Sequence, residues 1–202
     1  VEKVRLVDLD PEMTRLFSTN DVLRELNGDS LLNPKLEVVN ADAFIWLREN
    51  QETYDFVIID FPDPSNFSIG KLYSDLFYRQ LRRAVNPNGA VVIQSTSPYV
   101  AKNAFRIVEN TLASAGFATR PYHANVPSFG EWGFVLGDFG GWKVANKYPK
   151  DLRYISSEVV PLLLEFPLDM RSTDPVFASA VNRLNNQILV RTFEQEWESY
   201  LH

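Results

Sequence analysis

Asp60-Phe61-Pro62-Asp63-Pro64 sets two carboxylates three residues apart in one loop. Two carboxylates beside a cleft can bind a cationic amine, and one of them can take a proton from it. An amine is nucleophilic only after losing its proton, so chemistry at nitrogen needs such a base. A proline-shaped loop with capping aspartates is the plainer alternative, and it stays open at this point. Asp8 and Asp42 fall at the ends of two earlier strand-like runs. A carboxylate only accepts hydrogen bonds, so there it suits the hydroxyls of a ribose or, for Asp42, an adenine amino group. Asp8 serves equally as a solvated strand end or helix cap, and Asp42 as the N-cap of a helix starting at Ala43. Asp10, just before Pro11, reads as a cap. Gln94 ends another strand in the same row, as ligand contact or as a strand end satisfied by hydrogen bonds.

These residues need elements to carry them. Lys3–Asp8, Leu36–Asn40, Asp55–Asp60 and Ala90–Gln94 read as strands, the third as one buried on both faces. Helices are expected over Glu12–Leu26, Ala43–Asn50, Lys71–Val85 and Ala101–Ala115, with Asn86–Gly89 as a turn. Strands spaced by helices in this way predict an α/β fold with a mostly parallel, doubly wound, twisted sheet. Ala118–Ala124 and Trp132–Leu136 predict an antiparallel edge hairpin turning near Pro127–Gly130. In open sheets of this kind ligands bind outside the carboxyl ends of the strands, so Asp8, Asp42, Asp60 and Asp63 are expected to converge on one edge. Residues 148–202 lack strand alternation. They predict a helical extension, with helices near Ser156–Glu165 and Ala178–Tyr200, behind a domain of residues 1–147.

The remaining candidates are weaker. Of Tyr73 and Tyr78, on the helix after the acidic loop, one is expected in the core and one near the cleft. Trp132, Phe134 and Trp142 read as packing, His123 as a satisfied structural histidine, and Arg79, Arg82 and Arg83 as a solvated helix face. The 202 residues contain no cysteine and only His123 and His202 as histidines, which excludes disulfides, thiolate nucleophiles and a histidine-rich zinc site. A net charge of −6 argues against binding nucleic acid through its phosphates. With 45% hydrophobic residues the chain can fill a core. No apolar run approaches a membrane span.

Taken together, VDLDPEM at 7–13, NADAFIWL at 40–47, YDFVIIDFPDP at 54–64, KLYSDLFYRQL at 71–81, NPNGAVVIQSTSP at 86–98 and VPSFGEWGF at 126–134 resemble the spermidine/spermine synthases, the polyamine aminopropyltransferases. FPLDM at 166–170 and VNRLNNQILV at 181–190 are similar to a bacterial branch whose full-length members often carry an N-terminal membrane region. The resemblance implies a Rossmann-like methyltransferase fold acting in polyamine biosynthesis. Decarboxylated S-adenosylmethionine would be co-substrate rather than resident cofactor, a diamine such as putrescine the acceptor, and methylthioadenosine a product. By motif match Asp8 takes the ribose and Asp42, with Ala43, the adenine. Asp60 becomes the catalytic base and Asp63 holds the amine, with Gln94, Phe129 and Glu131 on the substrate side. The resemblance calls for no metal, and suggests a homodimer working in the cytoplasm.

Two departures stand out. The family's glycine-rich loop belongs to a strand before VRLVD, whereas this chain opens at Val1 and enters a strand almost at once. It therefore reads as the C-terminal catalytic region of a larger protein, inactive alone, with an exposed strand edge at Lys3–Asp8. The family's substrate-side tyrosine is Phe129 here, and Glu131 is the neighbour that could replace its contact. A methyltransferase using S-adenosylmethionine, and a non-catalytic nucleoside-binding or assembly module, are the two alternatives on the same fold.

Overall fold

The computed structural model describes residues 1–202 except Trp142 and Asn146, so the packing expected of Trp142 lies outside the described residues. The chain forms two compact units, Val1–Asn50 and Gln51–His202. The boundary expected at 147/148 falls inside the second.

In the first unit β1 (Val4–Asp8) pairs in parallel with β2 (Leu36–Asn40), placing Asp8 opposite Asn40. Val4, on this strand, is exposed. The single helix expected over 12–26 is two, α1 (Pro11–Thr19) and α2 (Asp21–Asn27). Asn20 divides them. Its backbone N–H donates to the Leu16 carbonyl to close α1, while its side chain accepts from the N–H groups of Val22 and Leu23 to open α2. Gly28, at φ 60°, supplies the left-handed residue that ends α2. After β2, α3 runs over Ala43–Glu49.

The second unit holds a four-stranded sheet in the order β3 (Tyr54–Ile59), β4 (Val85–Gln94), β6 (Gly130–Asp138), β5 (Ala118–Val126). β3 and β4 are parallel, and β5 and β6 form the expected antiparallel hairpin at the edge. Among the described residues the strands thus form two hydrogen-bonded sheets rather than the single one the sequence predicts. β3 also departs from expectation. Val57 and Ile59 turn inward, but Phe56 is 54% and Ile58 70% exposed, so the strand is covered on one face. Asn86–Gly89 is no separating turn but an irregularity within β4: Tyr54 pairs with Val85, and Phe56 with Ala90.

The core lies between this sheet and its helices. Tyr73, Phe77, Tyr78 and Leu81 come from a short 3-10 turn and α5 (Asp75–Arg83), and Ile107, Val108 and Leu112 from α6 (Lys102–Ser114). Two short helices, α4 (Phe67–Gly70) and α7 (Val159–Leu163), flank them, and the chain ends in α8 (Ile188–Leu201). The last helix begins ten residues later than its periodicity suggests. Asn182 explains the delay. Its buried amide donates to the carbonyls of Gly70 and Tyr73, and its oxygen accepts from the Leu189 N–H. Side chains that hydrogen-bond nearby backbone in this way compete with helix formation. Among the described residues no helix is long and apolar enough to cross a membrane.

Candidate active site

The acidic loop leaves the carboxyl end of β3 and is fastened from beneath. Tyr73 is fully buried, and its hydroxyl lies 3.2 Å from the carbonyl oxygens of both Phe61 and Pro62. Burial, with the charges of Tyr78, Asp63 and Asp60 acting in the same direction, holds that phenol well above its ordinary value, so it stays a donor. Tyr78 is the core tyrosine, and its hydroxyl has no hydrogen-bond partner among the described residues. The Phe61 ring packs edge-on against Tyr73 and Phe77, which anchors the loop's apolar side.

The two carboxylates of this loop are treated differently. Asp60 is exposed, and its carboxylate makes no hydrogen bond to the described residues. Asp63 is half-buried and fixed at both oxygens. Gln94 Nε2 donates to Oδ1 at 3.1 Å, and the Thr96 hydroxyl lies 3.4 Å from Oδ2. Burial pushes the Asp63 carboxyl above the ordinary aspartate value, and the bonds from Gln94 and Thr96 act against that rise. The same Gln94 nitrogen is 3.2 Å from the Phe61 carbonyl, so Gln94 clamps the loop.

Thr96 is held in an unusual conformation to do this. Its φ is 63°, a region costly for a β-branched residue by roughly 1–3 kcal/mol. Surrounding bonds enforce it: its N–H donates to Gln94 Oε1 at 2.7 Å, and its carbonyl accepts from the Gly133 N–H at 2.7 Å. Position 133 must be glycine for the strands to come this close. A Cβ there would lie 2.5 Å from the Phe105 ring and 2.9 Å from the Thr96 oxygen. From α8, the Trp197 indole nitrogen reaches the Thr96 hydroxyl at 3.4 Å.

On the first unit Asp8 Oδ1 accepts from the Asp10 N–H at 2.7 Å, and Asp10 itself caps α1. Asp42 is the N-cap of α3, accepting from the Phe44 N–H at 2.8 Å, and Ala43 is the first helical residue. The plainer local roles considered for both aspartates are therefore filled. Phe129 sits at the tip of the β5–β6 hairpin, 65% exposed, its ring against the buried Trp132. The Glu131 carboxylate is engaged by His123 at 2.5 Å, and the other imidazole nitrogen lies 2.6 Å from the Glu165 carbonyl. His123 is thus a satisfied structural residue. Phe134 stacks on Tyr122, Arg79 pairs with Asp75, and the Arg82 guanidinium lies over the Phe139 ring.

Within the second unit, then, the structure brings Asp60, Asp63 and Gln94 together and adds Tyr73, Thr96 and Trp197. Asp8, Asp42 and Ala43 stand at the strand ends of the first. The family model for the spermine/spermidine synthase domain matches residues 1–144. The chain belongs to this family. It is 48% identical over 201 residues to a polyamine aminopropyltransferase of Leptospira interrogans, covering 100% of this chain and 40% of that protein. It is 49% identical over 203 residues to polyamine aminopropyltransferase 2 of Ralstonia nicotianae, covering 100% of this chain and 39% of that one. The chain therefore spans about two fifths of the length of these curated relatives. Among solved structures it superimposes on spermidine synthase from Thermotoga maritima with a TM-score of 0.68 at 21% identity, over 83% of this chain and 58% of that one. A spermidine synthase in complex with the transition-state analogue AdoDATO gives 0.70 at 22% identity, over 83% and 59%. These superpositions establish the Rossmann-like methyltransferase fold.

Proposed function

We propose that this chain is the catalytic region of a polyamine aminopropyltransferase. It would move the aminopropyl group of decarboxylated S-adenosylmethionine to a diamine such as putrescine. The observation that carries this reading is the unequal pair on one loop, a free Asp60 beside a clamped Asp63. A base must be free to accept a proton, whereas a group that holds a cation works best when fixed in advance.

In the reaction the amine nitrogen forms a bond to the aminopropyl carbon next to the sulfonium. The carbon–sulfur bond breaks, its electron pair returns to sulfur, and methylthioadenosine leaves. Asp60 takes the proton the attacking nitrogen must shed. Asp63 pairs with the amine as a cation acceptor. Asp8 accepts from the ribose hydroxyls, and Asp42, beside Ala43, from the adenine amino group. The sulfonium already makes the carbon electrophilic, so orientation is the enzyme's main contribution. A homodimer and a cytoplasmic site of action rest on family likeness alone.

The test is to supply the full-length protein with putrescine and either donor, following products by mass. Spermidine and methylthioadenosine from decarboxylated S-adenosylmethionine are the expected result. A methylated amine from S-adenosylmethionine would replace this reading with the methyltransferase one, and nucleoside binding without any transfer would favour the non-catalytic module.

A further inference from the structure

The hydrogen-bond directions around Thr96 are set by chemistry rather than by choice. An indole N–H can only donate, so in its contact with Trp197 the Thr96 hydroxyl oxygen accepts. The single hydroxyl proton is then free for Asp63 Oδ2, which as a carboxylate oxygen can only accept. The Thr96 N–H fixes a second direction. Because it donates to Gln94 Oε1, the Gln94 amide must turn its NH₂ toward the Phe61 carbonyl and Asp63 Oδ1. One residue thereby directs a donor onto each oxygen of the carboxylate, and its strained backbone is what places both.

We propose that Thr96 is the positioning residue of the amine site, its hydroxyl aligned by Trp197 and its N–H acting through Gln94 to aim the Asp63 carboxylate at a cationic amine. Helix α8 thereby becomes part of the site rather than an appendage. Glu196, one residue before Trp197, fixes the helix in place. Its carboxylate accepts from the N–H groups of Asn103 and Ala104 at 3.0 and 2.9 Å, capping α6, whose own cap residue, Ala101, offers no side-chain bond. Tyr73, beneath the loop, feels the charges of both Asp63 and Asp60. This inference rests on the aminopropyltransferase reading for the identity of the ligand, but the relay itself does not.

Thr96→Val in the full-length protein removes the hydroxyl at nearly constant volume. It is expected to raise the KM for putrescine about tenfold, the scale of one hydrogen bond to a charged group, while the donor KM stays within about twofold. Thr96→Ser should restore most of the amine affinity, and Trp197→Phe should lose less than Thr96→Val in the same direction. A carbon-13 titration of the Asp63 carboxyl reads the relay without turnover. Thr96→Val should titrate at higher pH than the wild type, because a carboxylate that loses a donor is easier to protonate. Donor and amine KM rising together, Thr96→Ser as impaired as Thr96→Val, or an Asp63 titration unmoved by Thr96→Val would each overturn the proposal. An unaltered Trp197→Phe would remove α8 from it. If the protein transfers no aminopropyl group, the functional reading fails, and the titration still decides the relay.

Discussion

Asp8, Asp10 and Asp42 on the first unit and Asp63 on the second are held in opposite ways. Asp8, Asp10 and Asp42 each accept from a backbone N–H two residues ahead, the economy of a turn or helix cap. Asp63 accepts instead from side chains 31 and 33 residues away, in a half-buried setting that works against its charge. Nothing local requires Asp63 to be there. A carboxylate that shapes its own backbone has a structural reason to exist. One that is desolvated and then held by a glutamine and a strained threonine, itself bonded by a tryptophan, suits the proposed role of a preset acceptor for a cationic amine. Asp60, next to it and unpaired, completes the contrast.

The largest expected effect sharpens the difference between the units. Asp60→Asn in the full-length protein should lower kcat by roughly 10²–10⁴, the usual worth of a positioned base, with methylthioadenosine binding unchanged by calorimetry. If turnover survives, the free carboxylate is not the base and the asymmetry of the loop loses its meaning. Next comes the backbone that enforces the clamp. Gly133→Ala would press a methyl into Phe105 and the Thr96 carbonyl, so the urea midpoint should fall by the equivalent of about 1–3 kcal/mol. A wild-type midpoint would mean that the Thr96 loop gives way freely.

Asp42→Ala is the counterpart on the first unit. Losing a helix cap should cost about 1 kcal/mol of stability, read as a lower denaturation midpoint, together with weaker methylthioadenosine binding if the carboxylate also meets the adenine. A variant that loses binding but no stability would separate the two roles and show that the cap is incidental.

These differences also explain what could be read in advance. The Asp10-Pro11 cap, the Asn27-Gly28 stop and the hairpin around Pro127–Gly130 depend on bonds between close neighbours, so residue type and spacing reveal them. Asn20 and Asn182 broke the expected helices because apolar periodicity does not register a side chain that bonds to backbone. The exposed face of β3 was hidden for a related reason: four apolar residues in a row look alike whether one face is covered or two. Thr96 and Trp197 lie beyond any such reading. Only folding brings positions 63, 96 and 197 together, and IQSTSP marks a strand end without revealing that its threonine is strained toward an aspartate.

The smallest effect on stability is also the one whose sign most directly separates the two kinds of carboxylate. Asp63→Asn should abolish amine binding yet stabilise the fold modestly at neutral pH. Asparagine can satisfy the site: its oxygen accepts from Gln94, and its NH₂ donates to the Thr96 hydroxyl, which still accepts from Trp197. The charge is what burial penalises. Because the folded-state value for Asp63 is raised, the folded protein binds more protons than the unfolded chain between the two values, and its stability falls as pH rises through that window. The advantage of Asp63→Asn should therefore be fully present at pH 7 and disappear as pH drops below about 4, near the unfolded aspartate value. Thermal melts of both proteins across that range check it. A destabilised Asp63→Asn at pH 7 would put Asp63 in the same class as Asp42, a carboxylate kept for the fold.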